Sequence, residues 1–299
     1  MSGRRDRSGL AALAPFLWLG VFFLFPFLLV AKLSLSETAL SIPPYAPRLD
    51  WSQGWAGVQA FLQGLDLEAY ARLPTDRLYV VAYLSSLKFA AVATLILLLL
   101  GYPLAYAMAR CTPAVRQALL MAVILPFWTS FLIRVYALIG ILKPEGLLNV
   151  ALRALGLPGV SILNTDTAVY IGLVYAYLPF MVLPLYANLE KLDATLLEAA
   201  ADLGCSPTKA FWLVTLPISL PGIGAGVLLC FIPITGEFVI PDLLAGSSSM
   251  MIGQTIWLEF FTNRDWPLAS ATAVVLLALL IVPLLLYERT QLRRMEGGR

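Results

Sequence analysis

The chain has 299 residues, of which 60% are hydrophobic and only 13% charged, with a formal net charge of +2. A mean hydropathy of +0.84 is far from the balance of soluble domains, so residues 1–299 read as one multispan membrane domain with no charge signal for nucleic acid. The complete absence of histidine excludes His-containing zinc sites, histidine haem ligation and the usual catalytic triads, and no metal site or catalytic residue is expected.

The first apolar run, Leu10 to Ala31, follows the Arg4-Arg5-Asp6-Arg7 cluster and ends at Lys32. It is too long and too poor in small residues for a cleaved signal, so a retained helix is expected. Residues 37–83 form a long external loop carrying Pro43-Pro44, Trp51, Trp55, Tyr70 and Tyr79. That loop reads either as a partly ordered cap with interfacial aromatics or as a landing surface for a soluble delivery protein. Five further runs follow: Leu84 to Met108, Leu119 to Leu142, Ala168 to Leu189, Phe211 to Ile234 and Leu268 to Tyr287. Each supplies the roughly 20 apolar residues that a hydrocarbon core of about 30 Å requires. Backbone groups in lipid must be satisfied internally, so these runs are expected to be helices despite Pro26, Pro126, Pro179, Pro184 and Pro283. Cys111, Cys205 and Cys230 show no paired spacing and are expected as free thiols.

Charge orients the spans. With the N-terminus inside, the internal segments hold eleven basic residues: Arg4, Arg5, Arg7, Arg110, Arg116, Lys191, Lys209, Arg289, Arg293, Arg294 and Arg299. The longer external segments hold six: Arg48, Arg72, Arg77, Lys143, Arg153 and Arg264. The positive-inside rule therefore places both termini, and the loop 190–210, in the cytoplasm.

Within that loop the sequence spells a helix, a stop and a second start. Glu198 to Leu203 are good helix formers, Gly204 suits the position past a helix end, Ser206 can cap and Pro207 can open the next helix. Glu198 and Asp202 share a face by their i, i+4 spacing. Such a unit beside a membrane is a docking surface, or else an interfacial amphipathic helix that binds nothing. Elsewhere, Gly222 and Gly226 allow close helix approach. No Gly-x-x-x-x-Gly-Lys-Ser/Thr occurs, so an active transporter built on this chain takes its energy from another chain. Six helices are few to enclose a solute path, which calls for a second such subunit.

Glu198-Ala199-Ala200, Gly204 and the closing Val214, Leu216 and Pro217 resemble the EAA signature of ABC importer permeases, with the tail displaced by one position. The segments Pro126 to Tyr136, Gly236 to Asp242 and Asn263 to Pro267 are similar to hallmarks of the polyamine (putrescine/spermidine) importer permeases. So are Ile42 to Tyr45, Val174 to Pro184, Met250 to Gly253 and Trp257 to Phe261, and the likeness covers Leu10 to about Tyr287.

The resemblance implies an all-α, six-helix, type I importer permease in a bacterial inner membrane, with a cytoplasmic coupling-helix loop. It implies a homologous second permease, two copies of an ATPase subunit that bind ATP and Mg, and a periplasmic polyamine-binding protein. Glu198, Ala199, Ala200, Asp202, Gly204 and Pro207 would couple to the ATPases. A polyamine path needs acids and aromatic faces, for which Glu237 and Asp242, then Trp128, Tyr136, Tyr175 and Tyr177, are the candidates. The competing readings make Glu237 the ion-pair partner of Arg134, which is stranded in the third run, and make the aromatics packing. Alternative functions are an ABC importer for another small solute and a self-sufficient channel or secondary transporter, which would show duplicated halves that are not seen. An intramembrane enzyme lacks any convergent constellation.

Overall fold

An apolar segment in lipid has only its own backbone with which to pair, and in the computed structural model the apolar runs are helices. The structure describes residues 13, 15–48, 50, 52, 54–246 and 249–297, with side chains to 289. The expected start of the first run, the Arg4 to Arg7 cluster, Trp51 and the basic C-terminal side chains lie outside the described residues. By length and composition five helices can cross a membrane, and a bent pair counted as one span makes six.

In chain order, α1 (Pro15–Leu33) leads to a short antiparallel hairpin, β1 (Glu37–Thr38) with β2 (Tyr45–Ala46), in register Glu37 to Ala46 and Thr38 to Tyr45. Then come α2 (Gly54–Gln63), α3 (Glu68–Thr75) and α4 (Arg77–Arg110). The loop expected over 37–83 is thus a hairpin and two helices, and its last residues are the first turns of α4. Asp76 Oδ1 accepts from the Leu78 N–H at 2.9 Å and starts that helix, and Tyr79 and Ala82 bury its apolar face.

The third run departs most from expectation. Instead of one helix from Leu119 to Leu142, α5 (Pro113–Ile124) passes into a 3-10 turn at Leu125–Trp128, and the chain then bends by 96°. It resumes as α6 (Phe131–Leu142) and α7 (Leu147–Ala154). Pro126 has no N–H to give to the turn before it, and Thr129 Oγ1 donates to the Pro126 carbonyl at 2.8 Å, which closes the break locally.

The remaining spans follow the sequence closely. They are α8 (Asp166–Leu189) and α10 (Pro207–Thr235), with the short helix α9 (Thr195–Asp202) between them. After these come α11 (Val239–Leu244), α12 (Ile252–Trp257) with a π turn at Leu258–Asn263, and α13 (Trp266–Gly297). Two other π turns, Gly20–Leu24 and Phe211–Thr215, end two residues before Pro26 and Pro217. Each lets the helix pass a residue that cannot donate, the Phe25 and Leu216 N–H groups reaching back five residues.

The chain divides into two compact units: the residues up to Val80 with Thr255–Leu279, and Val81–Gln254 with the chain from Leu280 onward. In the first, Asp265 Oδ1 accepts from Thr38 Oγ1 at 2.6 Å, and buried Glu259 accepts from Tyr79 at 2.8 Å and from Asn263 Nδ2 at 2.8 Å. In the second, Phe89, Leu97, Leu173, Met181, Leu185 and Ile240 form the centre of the core. There α8 and α10 meet at glycines: a Cβ on Gly222 would lie 2.7 Å from Asn188 Cβ, and one on Gly226 2.8 Å from Met181 Sδ. The expected close approach is present.

Candidate functional site

Gly236 ends α10, and the turn after it aims Glu237 into the second unit. Its Oε1 accepts from the N–H groups of Phe238 (3.2 Å) and Val239 (3.0 Å), and its Oε2 accepts from the Tyr177 hydroxyl at 2.6 Å. This carboxylate faces a cavity of about 760 Å³ whose wall includes Phe127, Phe131, Arg134, Tyr177 and Phe180 and is otherwise aliphatic. A charge in such a wall interacts more strongly than the same charge in water, because little solvent screens it.

Arg134 reaches this cavity from α6. Its Nε and Nη1 are buried without a hydrogen-bond partner, and the guanidinium sits 5.7 Å from the ring centroids of both Phe127 and Phe131. The ion pair with Glu237 that the sequence suggested does not form: among the described residues Arg134 pairs with no carboxylate. Glu237 instead accepts from Tyr177 and the two backbone donors, three of the roughly four acceptor sites of a carboxylate.

The other candidates separate. Tyr177 joins Glu237, while Tyr175, two residues away and therefore on another face of α8, lines a different cavity of about 520 Å³ with Ile96, Leu100 and Tyr170. Trp128 is 76% exposed and Tyr136 59%, and neither lines the Glu237 cavity. Asp242 is exposed on α11 and lies outside it as well. Sequence reasoning missed Phe127 and Phe180, which stack edge to face at 5.3 Å in the cavity wall. Both lie in segments singled out for other residues, and no periodicity distinguishes them from packing. Ser86 was missed too: its Oγ accepts from the Ile252 N–H at 2.8 Å and fixes the chain just before Gly253.

The segment between α8 and α10 is built as its residues dictate. Asp193 Oδ1 accepts from the Thr195 N–H at 3.0 Å at the start of α9, and that backbone hydrogen bond holds its carboxyl below the usual range. Gly204 adopts φ +75°, with Cys205 N–H donating to the Ala200 carbonyl at 3.0 Å and Gly204 N–H to Ala201 at 2.8 Å, a Schellman closure. Ser206 Oγ accepts from Lys209 N–H at 3.4 Å, and Pro207 takes the first helical position. Glu198, Ala199, Asp202, Gly204 and Pro207 are exposed, as is Leu203 at 85%, whereas Ala200 is buried. Just before this segment Arg116 Nη1 donates to Glu190 Oε1 at 2.8 Å.

Apolar spans with one acid held in an apolar cavity, and a rigidly capped helix pair left exposed between two spans, define a membrane transport permease. The chain belongs to the family described as the binding-protein-dependent transport system inner membrane component, which matches residues 98–294. It is 44% identical over 227 residues to the spermidine/putrescine transport system permease protein PotB of Haemophilus influenzae, covering 75% of this chain and 79% of that protein. It is 45% identical over 225 residues to the protein of the same description from Escherichia coli, covering 75% and 82%. Among solved structures it is similar to a chain of a bacterial alginate ABC transporter in complex with alginate pentasaccharide-bound periplasmic protein. The TM-score there is 0.72 at 18% identity, over 97% of this chain and 96% of that one. A chain of the MetNI methionine ABC transporter gives 0.55 at 16% identity, over 71% and 93%. These likenesses place the fold: a helical ABC importer permease of the type the motifs resemble.

Proposed function

We propose that this chain is a permease subunit of an ATP-driven polyamine importer, forming half of the path for putrescine or spermidine. The observation that carries the reading is the 44–45% identity to permeases named for spermidine and putrescine. Glu237 supports it, since a carboxylate in an aromatic-lined apolar cavity is what a diammonium ion needs in place of water. Glu237 is the path acid in this reading, with Tyr177 its positioning partner.

The chain itself catalyses nothing. The complex holds two copies of an ATPase subunit that bind ATP and Mg, and their closure is passed to this chain through the capped helix pair at Glu198 to Pro207. A homologous second permease completes the path, and a periplasmic polyamine-binding protein delivers the solute to the side opposite the helix pair. Both termini are cytoplasmic and the spans lie in a bacterial inner membrane. Reconstitution of the complex with each candidate binding protein tests the reading: ATP-dependent uptake of putrescine or spermidine is expected. ATP-dependent uptake of a different solute, with neither polyamine transported, would refute it.

A further inference from the structure

Two opposite charges share the 760 Å³ cavity without pairing. Glu237 is held by three donors, the Tyr177 hydroxyl and two backbone N–H groups, whereas two buried nitrogens of Arg134 have no partner at all. A guanidinium left without a hydrogen-bonded counter-ion in an apolar wall is costly, and among the described residues Glu237 is the one acid lining the same cavity. Arg134 also stands four residues past the 96° break between α5 and α6, and Thr129 and Ser130 at that break are where a rotation would shift its head within the cavity.

We propose that Arg134 is a tethered release cation, which takes the place of a substrate ammonium group at Glu237 during each transport cycle. The proposal rests on the reading of Glu237 as the path acid. In the state described here Arg134 is parked against Phe127 and Phe131, whose ring faces stand in for lost water, and Glu237 is kept open by Tyr177. When the ammonium group departs, pairing with Arg134 spares the acid from being stranded without a counter-charge. When the guanidinium withdraws again, the acid is free for the next substrate. Arg134 then governs turnover more than affinity. A purely structural arginine would give neither that division nor a dependence on Glu237.

The test uses the reconstituted full complex with putrescine and spermidine as probes. Arg134→Gln is expected to lower the maximal uptake rate about ten-fold, the size of one charge-assisted hydrogen bond, with the half-saturating concentration unchanged or lower. Arg134→Lys, which keeps the charge, is expected to stay within about three-fold of the parent, and it carries the test should the Gln variant fail to assemble. In a Glu237→Gln background, replacing Arg134 is expected to add no further loss. Parental turnover in Arg134→Gln, a Lys variant no better than Gln, or losses that multiply in the double variant would each overturn the proposal. Recovery of uptake in the double variant would also overturn it and would leave Glu237 as the neutraliser of Arg134. A parent complex that hydrolyses ATP and moves neither polyamine brings down the substrate reading first, and this proposal with it.

Discussion

The Tyr177 hydroxyl lies 2.6 Å from Oε2 of Glu237 and donates to it, joining α8 to the end of α10 across 60 residues of sequence. The tyrosine ring packs beside Phe180 at 5.8 Å between centroids, so its hydroxyl is held at the carboxylate by its neighbours. Removing that hydroxyl in Tyr177→Phe keeps the ring and costs one hydrogen bond to a charged group, about 1.5–3 kcal/mol. Uptake by reconstituted vesicles is expected to fall about ten-fold while the ATPase subunits still co-purify. Unchanged uptake would mean that the hydroxyl plays no part in holding the path acid.

The capped helix pair makes a second prediction. Gly204→Leu forces a side chain into a left-handed backbone position, at a cost of about 1–2 kcal/mol, and should distort the turn between α9 and α10. Together with Glu198→Ala, it is expected to leave insertion and assembly intact and to lower transport and substrate-stimulated ATP hydrolysis. A variant that transports at the parental rate removes its position from the lever.

Close packing of α8 on α10 predicts a different defect. A Cβ at Gly226 meets the Met181 carbonyl at 3.2 Å as well as Met181 Sδ, and a backbone oxygen cannot swing aside as a methionine tip can. Gly226→Val should cost about 1–3 kcal/mol through overpacking. Thermal unfolding of the purified complex in detergent would show it as a lower midpoint, and an unshifted midpoint would contradict the packing.

Asp242 provides a contrast with Glu237. Because it is exposed and outside the cavity, Asp242→Asn is expected to change uptake by less than about two-fold, as for most surface substitutions. A loss as deep as that of Glu237→Gln would bring Asp242 back as a path acid.

Orientation is checked by reporters. Fusions near Ser206 or after Arg299 should report cytoplasm, and those near Gln53, Leu157 or Ser248 the opposite side. A cytoplasmic signal at Gln53 or Ser248 would break the six-span topology.

Sequence alone determined the membrane class, the positions of most spans and the stop between α9 and α10, because these follow from local physics. An apolar run of sufficient length must be helical in lipid, and Gly204, Ser206 and Pro207 impose a stop and a start on their immediate neighbours whatever lies elsewhere. The 96° bend was half legible: Pro126 advertised a lost donor, but whether a helix bends or passes through depends on what surrounds it, and Pro179 and Pro184 sit within an unbroken α8. Which aromatic meets Glu237, and whether Arg134 meets it, only the tertiary structure decided. Tyr175 and Tyr177 are equivalent in composition and differ in the rotation of α8 about its axis. Contacts distant in sequence set that rotation, with Gly222 and Gly226 seated against Asn188 and Met181. Tyr177 and two backbone N–H groups hold the carboxylate while Arg134 Nε and Nη1 lack a hydrogen-bond partner, an arrangement among groups that meet only once the chain has folded.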